Sequence, residues 1–207
     1  PVEIRHGLTI YHPRYPVILK IGSRLTPRFL YQAARRALRR LPGGAHFDLI
    51  DAHYFYPDGV AAARLAQDMQ LPLLITGRGT DLTLIPQSPP HRAQIRWACS
   101  QASGLITVCE DLKHKLVELG EPTARIAVLR NGVDLERFTP GDRAAARAKL
   151  GLTGFTLLSV GSLIPRKAHG LIIEALADLP DVSLLIAGGG PMRAELENLA
   201  MEKGVAA

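Results

Sequence analysis

The sequence predicts an α/β protein, because predicted strands and helices alternate without interruption from residue 47 onward. The predicted strands are short continuous apolar runs, a pattern typical of parallel strands that are covered on both faces. Together these observations indicate doubly wound, Rossmann-like sheets. The predicted strands span 47–53, 72–76, 104–109, 125–130, 155–161 and 182–187, and the predicted helices span 59–70, 89–102, 110–119, 142–149, 168–179 and 191–203.

A break near residues 138–142 divides the predicted elements into two groups. The segment FTPGD places Pro140 and Gly141 directly after a predicted turn, and both residue types are common where domains join. We therefore expect residues 1–140 to form a first Rossmann-like domain and residues 141–207 to begin a second one.

A basic segment at residues 24–40 precedes the first predicted strand and accounts for much of the formal net charge of +6. Leu30, Ala34, Ala37 and Leu41 recur at helical spacing, and most arginines fall on the opposite side. One interpretation is a solvated helix face. The alternative is an interfacial helix that contacts anionic lipids at the inner face of the cell membrane. Nucleic acid is not expected as a partner, because the sequence contains no recognised RNA- or DNA-binding module.

Composition and cysteine usage indicate a cytoplasmic globular protein. Hydrophobic residues make up 47% of the chain, but no run of eighteen apolar residues could span a membrane. Cys99 and Cys109 have neither CxxC spacing nor a nearby histidine cluster, so we expect two reduced thiols without a metal. No secretory signal is visible, and the first residue is not Met, which leads us to expect that the natural start lies upstream.

Two segments in the second half of the chain carry the most specific information. The segment IAVLRNGVDLERF (126–138) reads as a buried strand followed by an Asn-Gly turn, and LLSVGSLIPRK (157–167) reads as a strand that ends in Gly161. The loop after Gly161 presents Arg166 and Lys167 before the next predicted helix. Cations next to a helix start favour an anion, so this loop predicts a phosphate site.

In this order the two segments resemble the retaining glycosyltransferases of family 4, whose consensus is close to VLPNGVD…F.P followed by VGRL…RKG. The resemblance implies the GT-B fold, in which two Rossmann-like domains face each other across a cleft. It implies sugar transfer from a nucleoside-diphosphate sugar to a hydroxyl acceptor, such as a glycan, a polysaccharide or a lipid-linked glycan. Transfer of this kind retains the anomeric configuration and uses neither a metal nor a further cofactor. No D-x-D motif, which a metal-dependent GT-A type would need, occurs in the chain.

The resemblance implies that the second domain holds the donor. The positive charges of an arginine and a lysine would neutralise the diphosphate as the sugar–phosphate bond breaks. Ser162 stands where many members have a phosphate-binding arginine, and Ala168 replaces the usual glycine. Two alternatives follow: Arg166 supplies the missing charge, or the donor is held differently. For Arg166 and Lys167 the alternative is a solvated loop without a ligand. For the segment with Gly188 and Gly190 it is a plain strand-to-helix turn. The expected donor residues are Gly161, Ser162, Arg166, Lys167, Gly188 and Gly190.

The segment ITGRGTDL (75–82) resembles the family segment usually written HGxD, with Arg78 in place of the histidine. An arginine cannot release its proton near neutral pH, so we expect Arg78 to act electrostatically on an anionic acceptor or on the departing phosphate. Asp81 is expected to take part in catalysis by binding an acceptor hydroxyl. Its alternative role is to cap the following helix.

Further acceptor-side residues are expected at the carboxyl ends of the predicted strands, where ligands bind in open α/β sheets. The alternative role of Asp58 is to cap the following helix. The alternative role of Glu110 is a favourable electrostatic interaction with the start of a helix. The expected acceptor-side residues are His53, Asp58, Gly59 and Glu110.

The resemblance is strong from about His53 onward and weaker before it. Residues 1–40 contain nothing like the family's first strand and glycine-rich loop, and the chain ends at Ala207 before the family's pair of glutamates. We therefore expect an interior segment of a larger glycosyltransferase, and we expect activity from that enzyme rather than from this segment alone. Two alternatives stay open: a catalytically silent fragment that binds a nucleotide or phosphate, and a sugar-nucleotide epimerase, against which the RGTDL and NGVD segments argue.

Overall fold

The computed structural model describes residues 1–18, 20–41 and 46–206, and it confirms an α/β fold with parallel sheets. The chain divides into two compact units, Pro1–Val133 and Asp134–Ala207. Residues 19 and 42–45, within the predicted first domain, and residue 207, the last of the predicted second domain, lie outside the described residues.

The first unit begins with an antiparallel hairpin that the sequence analysis did not predict. Its turn residues, His6 and Gly7, have φ values of 49° and 80°, which match the twist that a two-residue hairpin turn requires. The elements before the parallel sheet are β1 (Val2–Arg5), β2 (Leu8–Tyr11), a 3-10 helix (Lys20–Leu25) and α1 (Thr26–Leu38). The helical periodicity of residues 24–40 thus corresponds to α1.

Four parallel strands in the order β3-β4-β5-β6 form the sheet of the first unit. Because every connection returns through a helix, all four strands end at the same edge of the sheet. The strands are β3 (Ile50–His53), β4 (Leu73–Gly77), β5 (Gly104–Thr107) and β6 (Ile126–Val128), and the helices are α2 (Val60–Met69), α3 (Thr80–Thr83), α4 (Pro89–Gln101) and α5 (Glu110–Glu118). Short helical turns lie at Phe55–Gly59, Ile85–Gln87 and Thr123–Arg125.

The core of the first unit lies between this sheet and its helices. Ile75 and Leu105, on the two central strands, are buried, and so are Ile95 and Leu116 on the helices. Complete burial of each such side chain contributes roughly 1.5–3 kcal/mol. The sheet edge that carries the strand ends is therefore a rigid platform.

The second unit contains two parallel strands whose register runs from Phe155↔Val182 to Val160↔Ala187. Its small core contains Leu163, Ile173 and Leu196. The elements are α6 (Arg143–Lys149), β7 (Phe155–Val160), a 3-10 helix (Pro165–Lys167), α7 (His169–Leu176), β8 (Val182–Ala187) and α8 (Arg193–Glu202).

The observed strands are shorter than predicted where apolar residues lack a covering layer or where the next helix begins. The first predicted strand starts at residue 47, but β3 starts at Ile50, and Phe47 and Leu49 are 40% and 44% exposed. The third starts as predicted and ends at Thr107, because Cys109 already occupies the position before α5. The last predicted strand, 182–187, coincides with β8.

Candidate functional site

A chain of side-chain contacts joins three parts of the first unit at the carboxyl edge of its sheet. Arg78, which follows β4, donates from Nη1 to Oδ1 of Asn131 at 2.7 Å, and its Nη2 lies 3.1 Å from Nδ1 of His53 at the end of β3. His53 Nε2 in turn lies 3.4 Å from Oδ2 of Asp51. The structure therefore brings together two of the predicted residues, His53 and Arg78.

The hydrogen-bond directions define the tautomer of His53. A guanidinium only donates, so Nδ1 of His53 accepts from Arg78 and the ring proton resides on Nε2, which faces Asp51. The side chains of His53 and Asp51 are about half exposed, at 50% and 51%. Arg78 is exposed as well. The arrangement holds a permanent cation in a defined position where an anionic ligand can reach it.

Asp81 organises the backbone beneath Arg78. Its carboxylate is fully buried and accepts hydrogen bonds from the backbone N–H groups of Phe55 at 2.9 Å, Arg78 at 3.1 Å and Gly79 at 2.7 Å. The sequence predicts contact with an acceptor hydroxyl, but a buried carboxylate that binds three backbone donors has no open face for one. This geometry supports a positioning role for Asp81, in which it fixes the turn after β3 and the segment after β4 together.

The remaining acceptor-side residues differ in their surroundings. Asp58 is exposed, and its pKa is raised by partial removal from water and, to a lesser degree, by the negative charge of Asp81. Gly59 is buried, and a Cβ atom there would lie 3.0 Å from both the Ile75 side chain and the Tyr54 carbonyl oxygen. Close packing on β4 therefore explains this glycine.

Glu110 lies at the start of α5, where the sequence analysis places it. Its carboxylate is exposed and forms no ion pair with another described residue. The position fits the favourable interaction of an acidic residue with a helix N-terminus. Glu110 is not part of the chain of contacts around Arg78.

The sequence analysis missed two residues of this site, Asp51 and Asn131. Asp51 precedes His53 by two positions on β3, so both side chains point to the same side of the strand. Asn131 follows β6, which ends at the same sheet edge as β3 and β4. The two-residue spacing and the Asn-Gly turn were the signals that could have identified them.

The second unit presents a different arrangement, in which two glycine-containing loops pack together after β7 and β8. The N–H group of Leu163 donates to the carbonyl oxygen of Gly189 at 2.9 Å. A Cβ atom at Gly188 would lie 1.8 Å from the Gly161 carbonyl oxygen, and one at Gly190 would lie 2.5 Å from the Leu163 carbonyl oxygen. The glycines therefore permit close contact between the two loops. This packing is sufficient to explain why positions 188 and 190 are glycines.

Arg166 and Lys167 follow this loop in a 3-10 helix just before α7. Both side chains are exposed, and neither forms an ion pair with any residue that the structure describes. Cδ of Lys167 lies 3.6 Å from the position that a Cβ atom of Gly161 would take. The lysine thus extends along the loop, and two cations lie beside a helix start, a combination that favours anions.

Among the residues that the structure describes, neither unit has a group of side chains suited to a metal ion. Within the described ranges, no cluster of three or more His, Cys, Asp and Glu residues is placed to hold one. None of the helices in the described part of the chain has the length and apolar character to cross a membrane.

Comparison with protein families gives two matches that together cover most of the chain. The family model described as Glycosyltransferase Family 4 matches residues 2–137, and the one described as Glycosyl transferases group 1 matches residues 142–207. The first match begins well before His53 and includes the segment where the sequence resemblance is weak.

Similarity to individual proteins also indicates a glycosyltransferase family. A D-inositol 3-phosphate glycosyltransferase of Mycolicibacterium vanbaalenii is 36% identical over 155 residues, which cover 70% of this chain and 34% of that protein. The chain thus spans about a third of the length of the curated relatives it matches.

Solved structures show which fold the chain shares. HepE of Anabaena, solved in complex with UDP, has a TM-score of 0.64 at 23% identity and covers 86% of this chain and 49% of its own. A putative UDP-N-acetylglucosamine 2-epimerase of Listeria monocytogenes has a TM-score of 0.50 at 16% identity and covers 87% and 50%. At these identities the two structures show the GT-B fold and not an activity.

Proposed function

Because the chain belongs to Glycosyltransferase Family 4, we propose that it transfers a sugar from a nucleoside-diphosphate sugar to a hydroxyl acceptor, with retention of configuration and without a metal. The observation that carries this proposal is the exposed Arg166–Lys167 pair on a loop held between β7, β8 and the start of α7. The enzyme would act in the cytoplasm.

The donor loop would bind the diphosphate of the nucleotide sugar. Negative charge builds up on the leaving diphosphate as the sugar–phosphate bond breaks, so cations placed there lower the barrier. Lys167 supplies a point charge, and Arg166 supplies a planar fork that can bind two oxygens at once. Ser162 is exposed on the same loop and would donate a neutral hydrogen bond from its hydroxyl.

The acceptor would bind at the carboxyl edge of the first unit's sheet. Arg78 is held there by His53 and Asn131 and positioned through its backbone by Asp81. The relative from Mycolicibacterium vanbaalenii is named for D-inositol 3-phosphate. An exposed guanidinium recognises phosphorylated ligands of this kind. We therefore infer a hydroxyl acceptor that carries a negative charge.

Titration calorimetry of UDP binding to the chain tests the donor site. Lys167→Ala should weaken UDP binding by about tenfold or more, because it removes one charged hydrogen bond. Lys203→Ala is the matched control, since this lysine is also exposed in the second unit but follows the far end of α8. Equal affinity of the wild type and Lys167→Ala would assign the pair to the alternative of a solvated loop.

Product analysis distinguishes a transferase from the two alternatives, an epimerase and a catalytically silent fragment. A transferase releases the nucleoside diphosphate and forms product only when an acceptor is present. Conversion of the nucleotide sugar into its epimer without an acceptor would instead identify an epimerase. Binding without turnover under either condition would support the silent fragment.

A second proposal concerns α1, whose arginines favour an anionic membrane surface. Arg28 and Arg36 of α1 are exposed, and so are Arg39 and Arg40 directly after it. Arg35 is the one arginine of α1 with an ion pair among the described residues, to Asp68 at 3.4 Å. Each basic residue near an anionic surface contributes about 1 kcal/mol of attraction. Such binding would place the enzyme at the inner face of the cell membrane.

Vesicle sedimentation tests this second proposal. The chain should bind vesicles containing phosphatidylserine but not pure phosphatidylcholine, and added salt should weaken binding. Replacing Arg36, Arg39 and Arg40 by Glu should abolish binding, whereas the same reversal at Arg143, Arg147 and Arg193 serves as the control. No difference between the two triple variants would favour a solvated helix face.

A further inference from the structure

His169 is a buried polar residue that the proposed donor contacts leave unexplained. It is the first residue of α7 and only 3% exposed. Its Nδ1 lies 3.0 Å from Oγ of Ser159 near the end of β7, and its Nε2 lies 3.3 Å from the carbonyl oxygen of Ser162. Both ring nitrogens thus contact the strand and the loop that carry the donor site.

The partner of Nε2 defines the tautomer of the neutral His169 ring. A carbonyl oxygen only accepts, so Nε2 carries the proton and donates to Ser162. Nδ1 then accepts from the Ser159 hydroxyl, which is free to turn its proton toward the ring. The neutral imidazole satisfies both contacts, and little of its surface remains for a ligand.

The contact to Ser162 completes the attachment of the donor loop. The N–H groups on either side of Ser162 already bind β8 and the loop after it: Gly161 donates to the Ala187 carbonyl oxygen at 3.0 Å, and Leu163 donates to that of Gly189 at 2.9 Å. The carbonyl oxygen between them accepts from the Ile164 N–H group at 2.9 Å, and His169 is its one side-chain partner among the described residues. The Ser162 carbonyl oxygen is thereby directed at a buried ring. If it turned toward a bound anion instead, its partial negative charge would repel the ligand.

We propose that His169 is a positioning residue that holds the Ser162 carbonyl group inward and so keeps the donor loop in its diphosphate-binding conformation. This inference rests on the proposed function, because the loop must first bind the donor. His169 does not itself touch the substrate. Its contribution is to hold Gly161–Leu163 in one conformation before the ligand arrives, which reduces the cost of ordering on binding.

Two substitutions of similar size separate the Ser162 contact from general packing. The side-chain nitrogen of Gln reaches about as far as Nε2, whereas that of Asn reaches only about as far as Nδ1. His169→Gln should therefore keep UDP affinity within about threefold of the wild type. His169→Asn should weaken it about fivefold or more, which corresponds to one lost hydrogen bond.

Calorimetric UDP binding and thermal unfolding, measured together on the whole chain, decide the outcome. The proposal is supported if His169→Gln keeps its UDP affinity, His169→Asn loses it, and the two variants unfold at similar temperatures. Equal affinity in all three proteins overturns it, and so does a loss of affinity that follows only the unfolding temperature. If UDP does not bind the wild type, or binds Lys167→Ala equally well, the proposed function itself fails. If UDP binding depends on Lys167 but not on residue 169, the role of His169 is rejected and the proposed function stands.

The tautomer gives a test that needs no ligand. A ¹⁵N–¹H spectrum of the imidazole nitrogens should show His169 protonated at Nε2 and unprotonated at Nδ1 near neutral pH. Ser159→Ala removes the partner of Nδ1 and should leave the Nε2 proton in place. A ring that carries its proton on Nδ1 would contradict the contact to Ser162.

Discussion

Arg78 is the residue on which the site of the first unit depends most. Its guanidinium joins the end of β3 to the segment after β6, while Asp81 holds its backbone. Family members usually have a histidine at this position, and the two residue types differ in chemistry, because arginine stays charged whereas histidine titrates near neutrality.

The permanent charge of Arg78 leads to a prediction about the pH dependence of transfer. In the full-length enzyme, the wild-type transfer rate should show no ionisation from this position between about pH 6 and 7.5, and Arg78→His should introduce one there. His53 is present in both proteins, so the difference between the two pH profiles isolates position 78. Superimposable profiles would indicate that residue 78 plays no electrostatic role.

Substitution by Ala and Lys distinguishes catalysis from loop stability. Arg78→Ala should lower kcat more than it raises the KM for the donor, because the charge acts mainly as the bond breaks. If Arg78 only ties the loop to Asn131 and His53, Arg78→Lys should keep most of the activity and Arg78→Ala should chiefly lower the melting temperature. Measuring rates and melting temperatures for both variants decides between these roles.

The two cysteines should differ sharply in reactivity. Burial, and to a lesser degree the charge of Glu121, raises the pKa of the Cys99 thiol to about 12. At pH 8 only ~1 in 10,000 molecules would carry the reactive thiolate. Iodoacetamide should therefore modify Cys109, which is partly exposed, and leave Cys99 unmodified, as peptide mass spectrometry can show. Both should react in guanidinium chloride, and equal labelling of the native chain would disprove the difference.

At the scale of elements, the junction between the cationic 3-10 helix and α7 contains a residue poorly suited to its conformation. Ala168 has φ 54° and ψ 31°, which is the left-handed region. A Cβ atom is unfavourable there, by about 1–2 kcal/mol. The glycine that family members usually carry at this position would relieve the conflict.

Ala168→Gly should therefore stabilise the second unit. We expect the free energy of unfolding to rise by about 0.5–1 kcal/mol, since the greater freedom of glycine in the unfolded chain offsets part of the gain. Ala175→Gly, within α7, is the matched control and should lower the stability by up to about 1 kcal/mol. Urea denaturation measures both changes, and a loss of stability in Ala168→Gly would contradict the assigned conformation.

At the scale of the molecule, each unit exposes apolar surface. In the second unit, Leu158 and Val160 on β7 are 63% and 69% exposed. The first unit has an apolar cavity of about 320 Å³ between the hairpin, α1 and β3. Contiguous apolar surface of this kind promotes association.

We predict that the chain self-associates at micromolar concentration and binds the dye ANS. Replacing both Leu158 and Val160 by Thr should reduce ANS fluorescence while keeping the strand, because Thr also favours β structure. Light scattering after size-exclusion chromatography measures the association, and Ile173→Thr is a control that disrupts the core instead. A monomer with one sharp, cooperative unfolding transition would rule out this prediction.

The sequence by itself determined most elements, because each segment's own residues set its periodicity. The apolar run of β8 and the helical spacing of α1 are examples. It also predicts an anion site at Arg166 and Lys167, because a strand, a glycine and two cations are neighbours along the chain. The β1–β2 hairpin was missed, since its two four-residue strands are too short to show a period.

Only the tertiary structure decided which distant residues meet. The order of the strands brings residues 53, 78 and 131 to one edge, and no local pattern encodes that order. Burial likewise made Asp81 a backbone anchor and Gly188 a point of close loop contact, because both depend on what packs against them. Residue types and spacings are properties of a segment, whereas contacts and burial arise only when segments pack together.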